Sequence, residues 1–263
     1  MEKIITRGQL FFGIAIVAFG VENLINVRLG LAVRGVPWFP GSAFWTYLTG
    51  SALLAAGLSI VTNVRARMTA ILLGILFLLY VLFLEVSLVV ARPMSVSVRT
   101  VLFETLALGA AALTLAGTLP AGSDFRRWGG IRDALIGLGP CLFGVSSAVF
   151  GIDHFLVLDV IASLVPAWLP GHMFWAYLTG TAFIAAGISI IARWMDQWAA
   201  ALLGTMFLLW FLILHSPRVV MAFRSHDPNA PDEWSSAFIA LGMCGGSWIC
   251  AWHAQQRRGR SAK

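Results

Sequence analysis

Seven ionisable side chains stand inside or at the edge of long apolar runs. They are Glu22, Glu85 and Glu104 in the first half of the chain, and Asp153, His154, His172 and His215 in the second. An ionisable group at mid-membrane costs about 2.5–3.5 kcal/mol or more on insertion scales, and such groups usually mark function. Glu85 and Glu104 on neighbouring helices are of a type to accept protons. An imidazole such as His154 or His215 suits a hydrogen-bond partner or proton carrier near neutral pH. Arg92, Arg99 and Arg218 are the expected charge partners, and Arg28 and Arg34 could reach the same layer. Two readings follow. One is a polar pocket near the outer surface that binds a quinone head group, a lipid head group or a small polar solute. The other is a set of ion pairs that only lock helix packing, with Glu22 and Asp153 simply interfacial.

Other chemistries find less support. Two histidines on facing helices would suit a b-type haem, and His154, His172 and His215 lie at a fitting depth. The first half carries Asn23, Ser42 and Glu85 at the matching places, so a haem would be confined to one half and is not expected. His226, Asp227, Asp232 and Glu233 share an outer loop without a known ligand spacing, so no metal site is expected. Cys141, Cys244 and Cys250 form no CxxC pair and read as buried, inert thiols. A glycine-rich nucleotide loop, a P-loop and a GxSxG elbow are all missing from the sequence. The residues name no reaction, and whether the chain is an enzyme stays open.

The elements that must position these residues are membrane helices. Hydrophobic residues make up 59% of the 263 and charged residues 11%, with a mean hydropathy of +0.85. Soluble domains run about 45–50% apolar and about 25% charged. A crossing helix needs roughly 20 apolar residues. Runs of that kind cover 9–27, 43–62, 69–91, 100–118, 134–157, 172–192, 198–219 and 234–252. They are too long and too uniformly apolar for barrel strands. The first reads as a retained span, because no small-x-small cleavage site follows it.

The chain is duplicated. Phe44-Trp45-Thr46-Tyr47-Leu48-Thr49-Gly50 returns as Phe174-Trp175-Ala176-Tyr177-Leu178-Thr179-Gly180. Twelve of nineteen positions agree between 44–62 and 174–192. Gly20-Val21-Glu22-Asn23 matches Gly151-Ile152-Asp153-His154, and Glu85 matches His215. The fold expected is all-α: a polytopic membrane protein of eight transmembrane helices, arranged as two parallel-repeat four-helix bundles. The units are 1–120 and 134–263, joined by a cytoplasmic linker over 121–133. Stripes of small residues, with Gly50 and Gly57 or Gly180 and Gly187 seven apart, read as close helix contacts. Pro37, Pro40, Pro166 and Pro170 stiffen the loop before the second span of each unit.

Twelve of the eighteen Lys and Arg fall on the side of the N-terminus: Lys3, Arg7, Arg65, Arg67, Arg126, Arg127, Arg132, Arg193, Arg257, Arg258, Arg260 and Lys263. This excess puts both termini in the cytoplasm. It also explains the net charge of +6 without nucleic acid. Tryptophans cluster near both boundaries as aromatic belts.

At the repeated stretches, and at Val165-Pro166-Ala167-Trp168-Leu169-Pro170 and Ala185-Ala186-Gly187, the chain resembles the DoxX/DoxD-like family of bacterial four-helix membrane proteins. Some members of that family are small subunits of a membrane thiosulfate–quinone oxidoreductase. The resemblance implies the bacterial inner membrane, a link to a quinone and a redox partner protein, and no catalytic residue that can be carried over. It is set against two other readings: a permease for a small solute, which parallel repeats suit, and a non-catalytic assembly or stress-tolerance protein. The partners expected are the lipid bilayer, the redox protein and, through an exposed apolar flank, a second copy of the chain.

Overall fold

The computed structural model describes residues 7–26, 42–120, 129–225 and 230–261. Eight helices are long and apolar enough to cross a membrane, and no strand occurs among the described residues. We number the helices α1 (Gly8–Asn26), α2 (Ser42–Thr62), α3 (Ala66–Ala91), α4 (Val96–Thr118), α5 (Gly129–Leu156), the short α6 (Leu158–Leu164), α7 (His172–Ala192), α8 (Asp196–Arg224) and α9 (Ala230–Ser261). The expected all-α, eight-span fold is therefore found. The chain is a multi-pass membrane protein by the length and composition of these helices. Leu82, Phe83, Val90, Leu202 and Leu212 stand exposed on their outer faces, as suits a surface facing hydrocarbon.

The duplication extends to backbone detail. Between α2 and α3, Asn63 and Arg65 take the left-handed conformation. Between α7 and α8, Arg193 and Met195 do the same. In both turns an amide reaches back to a serine carbonyl at 3.1 Å, Val64 to Ser59 and Trp194 to Ser189. Further along, α3 opens into one π-helical turn at Val81–Glu85 and α8 into another at Phe211–His215.

Packing runs through the glycines. A methyl added at Gly57 would lie 2.5 Å from the Val17 amide nitrogen, and one at Gly187 would lie 2.5 Å from the Gly144 carbonyl oxygen. So α1 meets α2, and α5 meets α7, backbone to backbone. This is how helices associate in lipid, where no hydrophobic drive pulls them together.

The two units do not close separately. Helix α1 packs on α2 and on α9, and α5 packs on α7 and on α4. Gly8 and Gly245 bring α1 and α9 into backbone contact, and Gly139 does the same for α5 against α4. Helices α4 and α9 also touch each other and are the two most enclosed spans. Each lobe is therefore ringed by five helices, four from consecutive spans and a central one shared from the other unit.

The start of the fifth span differs from expectation. Helix α5 begins at Gly129, so 129–133 belongs to the helix and not to the linker. Its Pro140 lies inside the helix without ending it. Cys244 and Cys250 are buried, but Cys141 is exposed, contrary to the reading of all three as buried. Arg28, Arg34, Pro37, Pro40, His226, Asp227 and 121–128 lie outside the described residues.

Candidate functional site

A cavity of about 140 Å³ lies at the end of the second lobe, opposite the N-terminal end of α1. All five helices of that lobe line it. Helix α4 supplies Val96, Thr100 and Glu104; α5 supplies Phe150, Asp153 and His154; α7 supplies Phe183; α8 supplies Phe207 and Trp210; α9 supplies Ile239 and Met243. Val157 and Ile161, at the turn into α6, complete the wall. The cavity thus needs both halves of the chain.

His154 is its central polar group. The side chain is 9% exposed. Its Nδ1 lies 2.8 Å from the carbonyl of Phe150. Since a carbonyl only accepts, Nδ1 carries the proton and Nε2 is left with a lone pair. Nε2 is buried and has no partner. The ring stacks on Trp210, with centroids 5.7 Å apart and 15° between planes, and lies 5.0 Å from the Phe183 ring. Phe183, Phe207 and Trp210 meet one another edge to face at 5.3–5.9 Å, a favoured aromatic geometry.

Asp153, one residue earlier, is 4% exposed and fully engaged. Arg99 donates to its Oδ1 from Nε at 2.9 Å and also from Nη2. Thr100 Oγ1 lies 3.1 Å from Oδ2. These contacts fasten α5 to α4 across the junction between the units. Glu22 has the equivalent duty in the other lobe: Ser235 of α9 donates to it, fastening α1. Both acids thus join helices of different units, and Asp153 also lines the cavity.

Of the remaining candidates, Glu104 alone reaches the cavity wall. Glu85 is the last residue of the first π turn and is 7% exposed. Its Oε1 accepts from Thr105 at 2.7 Å, while its Oε2 is buried without a partner. Glu104 lines the cavity and is the electrostatic neighbour of Glu85. His215 ends the second π turn with its Nδ1 buried and unpaired, but it is not in the cavity wall. His172 starts α7 and is also outside that wall. Arg218 forms a two-fold pair with Glu233, at 2.8 and 2.6 Å. Arg92 is exposed and makes no ion pair among the described residues.

Among the described residues no group of three His, Cys, Asp or Glu could hold a metal ion. A dry cavity of about 150 Å³ accommodates benzene, so one six-membered ring fits.

Sequence reasoning missed Phe183, Trp210 and Thr100. A signal for two of them lies in the repeat. The first half has Leu53 and Tyr80 where the second has Phe183 and Trp210, and Asn23 where it has His154. Three of the places at which the halves differ thus lie in the cavity wall, while Phe150 and Phe207 of that wall match Phe19 and Phe77.

Comparison of the chain with protein-family models, with characterised proteins and with solved structures finds no match.

Proposed function

We propose that this chain is a DoxX-like protein of a bacterial inner membrane, both termini cytoplasmic, that holds the ring of a quinone-type, lipid-soluble molecule in the cavity beside His154. It would do so as a membrane subunit or partner of a redox system. The observation that carries the reading is the buried, unpartnered Nε2 of His154 in an aromatic wall around a space for one ring. Flat aromatic faces suit a flat ligand. A few polar groups in an otherwise apolar pocket fix its orientation. The excess of Lys and Arg on the N-terminal side supports the orientation.

The test is purification in mild detergent, followed by mass spectrometry of the organic extract. A quinone near one per chain from the wild type, and much less from His154→Phe at equal monodispersity, supports the reading. Bulk phospholipid alone from both proteins removes it.

A permease reading has one observation in its favour. The paired π turns of α3 and α8 interrupt two equivalent spans, and such turns often occur at functional sites. Solute flux in proteoliposomes that is lost on altering Glu85 or His215 would favour it.

A further inference from the structure

We infer that the ring held in this cavity carries a hydroxyl, which donates its hydrogen bond to His154 Nε2, so that the site prefers a phenol or hydroquinone to the corresponding ketone or ether. The inference rests on the reading that a ring occupies the cavity and adds which chemical form of ring it is.

Few groups on the wall have a hydrogen to donate. Asp153 has both oxygens engaged by Arg99 and Thr100. The single hydroxyl hydrogen of Thr100 has two acceptors already, the Val96 carbonyl at 2.9 Å and Asp153 Oδ2 at 3.1 Å. The amides of Val157 and Ile161 donate to the carbonyls of Asp153 and Val157. His154 gives its proton to Phe150, so a neutral ring offers a ligand only the Nε2 lone pair. Glu104 accepts through a carboxyl oxygen in either protonation state, and when protonated it also has one O–H, for which the neighbouring Glu85 competes as acceptor. The one fixed donor left on the wall is the indole N–H of Trp210, whose ring is stacked on His154.

The wall is therefore rich in acceptors and poor in donors. A ligand hydroxyl satisfies Nε2. A ketone or an ether leaves it buried and unpaired, and that loss corresponds to about tenfold in affinity or more. For a molecule that exists as quinone and hydroquinone, the cavity would hold the reduced form more tightly.

The experiment uses the full chain in lipid nanodiscs and fluorine NMR of three unreactive single-ring probes: 4-fluorophenol, 4-fluoroanisole and 4-fluoroacetophenone. Empty nanodiscs give the partition background. Saturable binding of the phenol about tenfold or more tighter than the ether and the ketone is expected. Trp210→Phe should keep that preference, and His154→Phe should abolish it. His154→Asn keeps an acceptor and the side-chain bond that Asn23 makes in the first unit, and should retain part of the preference if the phenylalanine variant misfolds. Equal binding of all three probes, or tighter binding of the ketone, overturns this inference while leaving a ring site in place. Saturable binding of none of them overturns both it and the proposed function.

Discussion

Asn23 and His154 sit at equivalent places in the two units, and each donates one side-chain N–H to the carbonyl four residues before it, Phe19 and Phe150, both at 2.8 Å. The duplicated backbone has kept the local bond and changed the group attached to it. Beyond that bond, asparagine is short, while histidine carries a second ring nitrogen and an aromatic face. That face meets Trp210 and Phe183. At two of these places, His154 for Asn23 and Phe183 for Leu53, the second lobe has a ring where the first has none.

The anchor between the units should be costly to break. Arg99→Ala leaves Asp153 buried without its cation, a loss on the order of 3 kcal/mol. Arg92→Ala removes an exposed side chain that has no ion pair among the described residues and should stay within about 0.5 kcal/mol. Thermal unfolding of both variants in the same detergent checks this; equal midpoints would show that the Asp153 contacts do not hold the lobes together.

Glycine contacts give a second contrast. Gly187→Ala places a methyl 2.5 Å from the Gly144 carbonyl and 2.7 Å from the Ala148 amide nitrogen, and overpacking of this kind costs about 1–3 kcal/mol or more. Gly137→Ala meets nothing within 4 Å and should be neutral, or stabilising by up to about 1 kcal/mol through helix propensity. Unfolding midpoints of the pair decide it. A Gly187→Ala protein as stable as the parent would contradict the backbone contact.

How much of this was legible in the sequence depends on the reach of each contact. The duplication and the pairing of Glu85 with His215 follow from a fixed offset and could be read directly. The π turns could not, because Val81–Glu85 and Phe211–His215 contain no glycine or proline and look like ordinary apolar helix. The bond from Ser235 to Glu22 joins residues 213 apart, and Arg99 reaches Asp153 only because α4 packs against α5 of the other unit. Hydropathy gives the spans but not which spans are neighbours. Asp196, paired with Arg257 and with Arg258 at 2.7 Å, joins residues some sixty positions apart in the same way.

Deleting single residues should expose the π turns. Each holds one residue more than an α-helical turn needs, so removing Leu82 lets α3 close into regular helix with the flanking residues near their present neighbours. Removing Leu76 from the regular part instead rotates everything after it by about 100°, one residue of a 3.6-residue turn. The Leu82 deletion should remain monodisperse and the Leu76 deletion should not, as read by size-exclusion chromatography. Equal loss from both would argue against a π turn.

The lobes borrow helices from each other, so the halves should reassemble. Residues 1–128 and 129–263, produced as two chains in one membrane, should co-purify through α1 with α9 and α4 with α5. Recovery of each half alone, without the other, would show that the units close independently.

The central claim is that a ring occupies the cavity beside His154. The most direct measurement is photolabelling of the full chain in proteoliposomes with an azide-bearing phenol analogue, mapped by peptide mass spectrometry. The account predicts label on the peptides that hold Val157, Ile161 and Met243, competed away by unlabelled analogue and lost in His154→Phe. Label confined to outward-facing residues such as Leu212 and Phe83, unchanged by competitor, would contradict it.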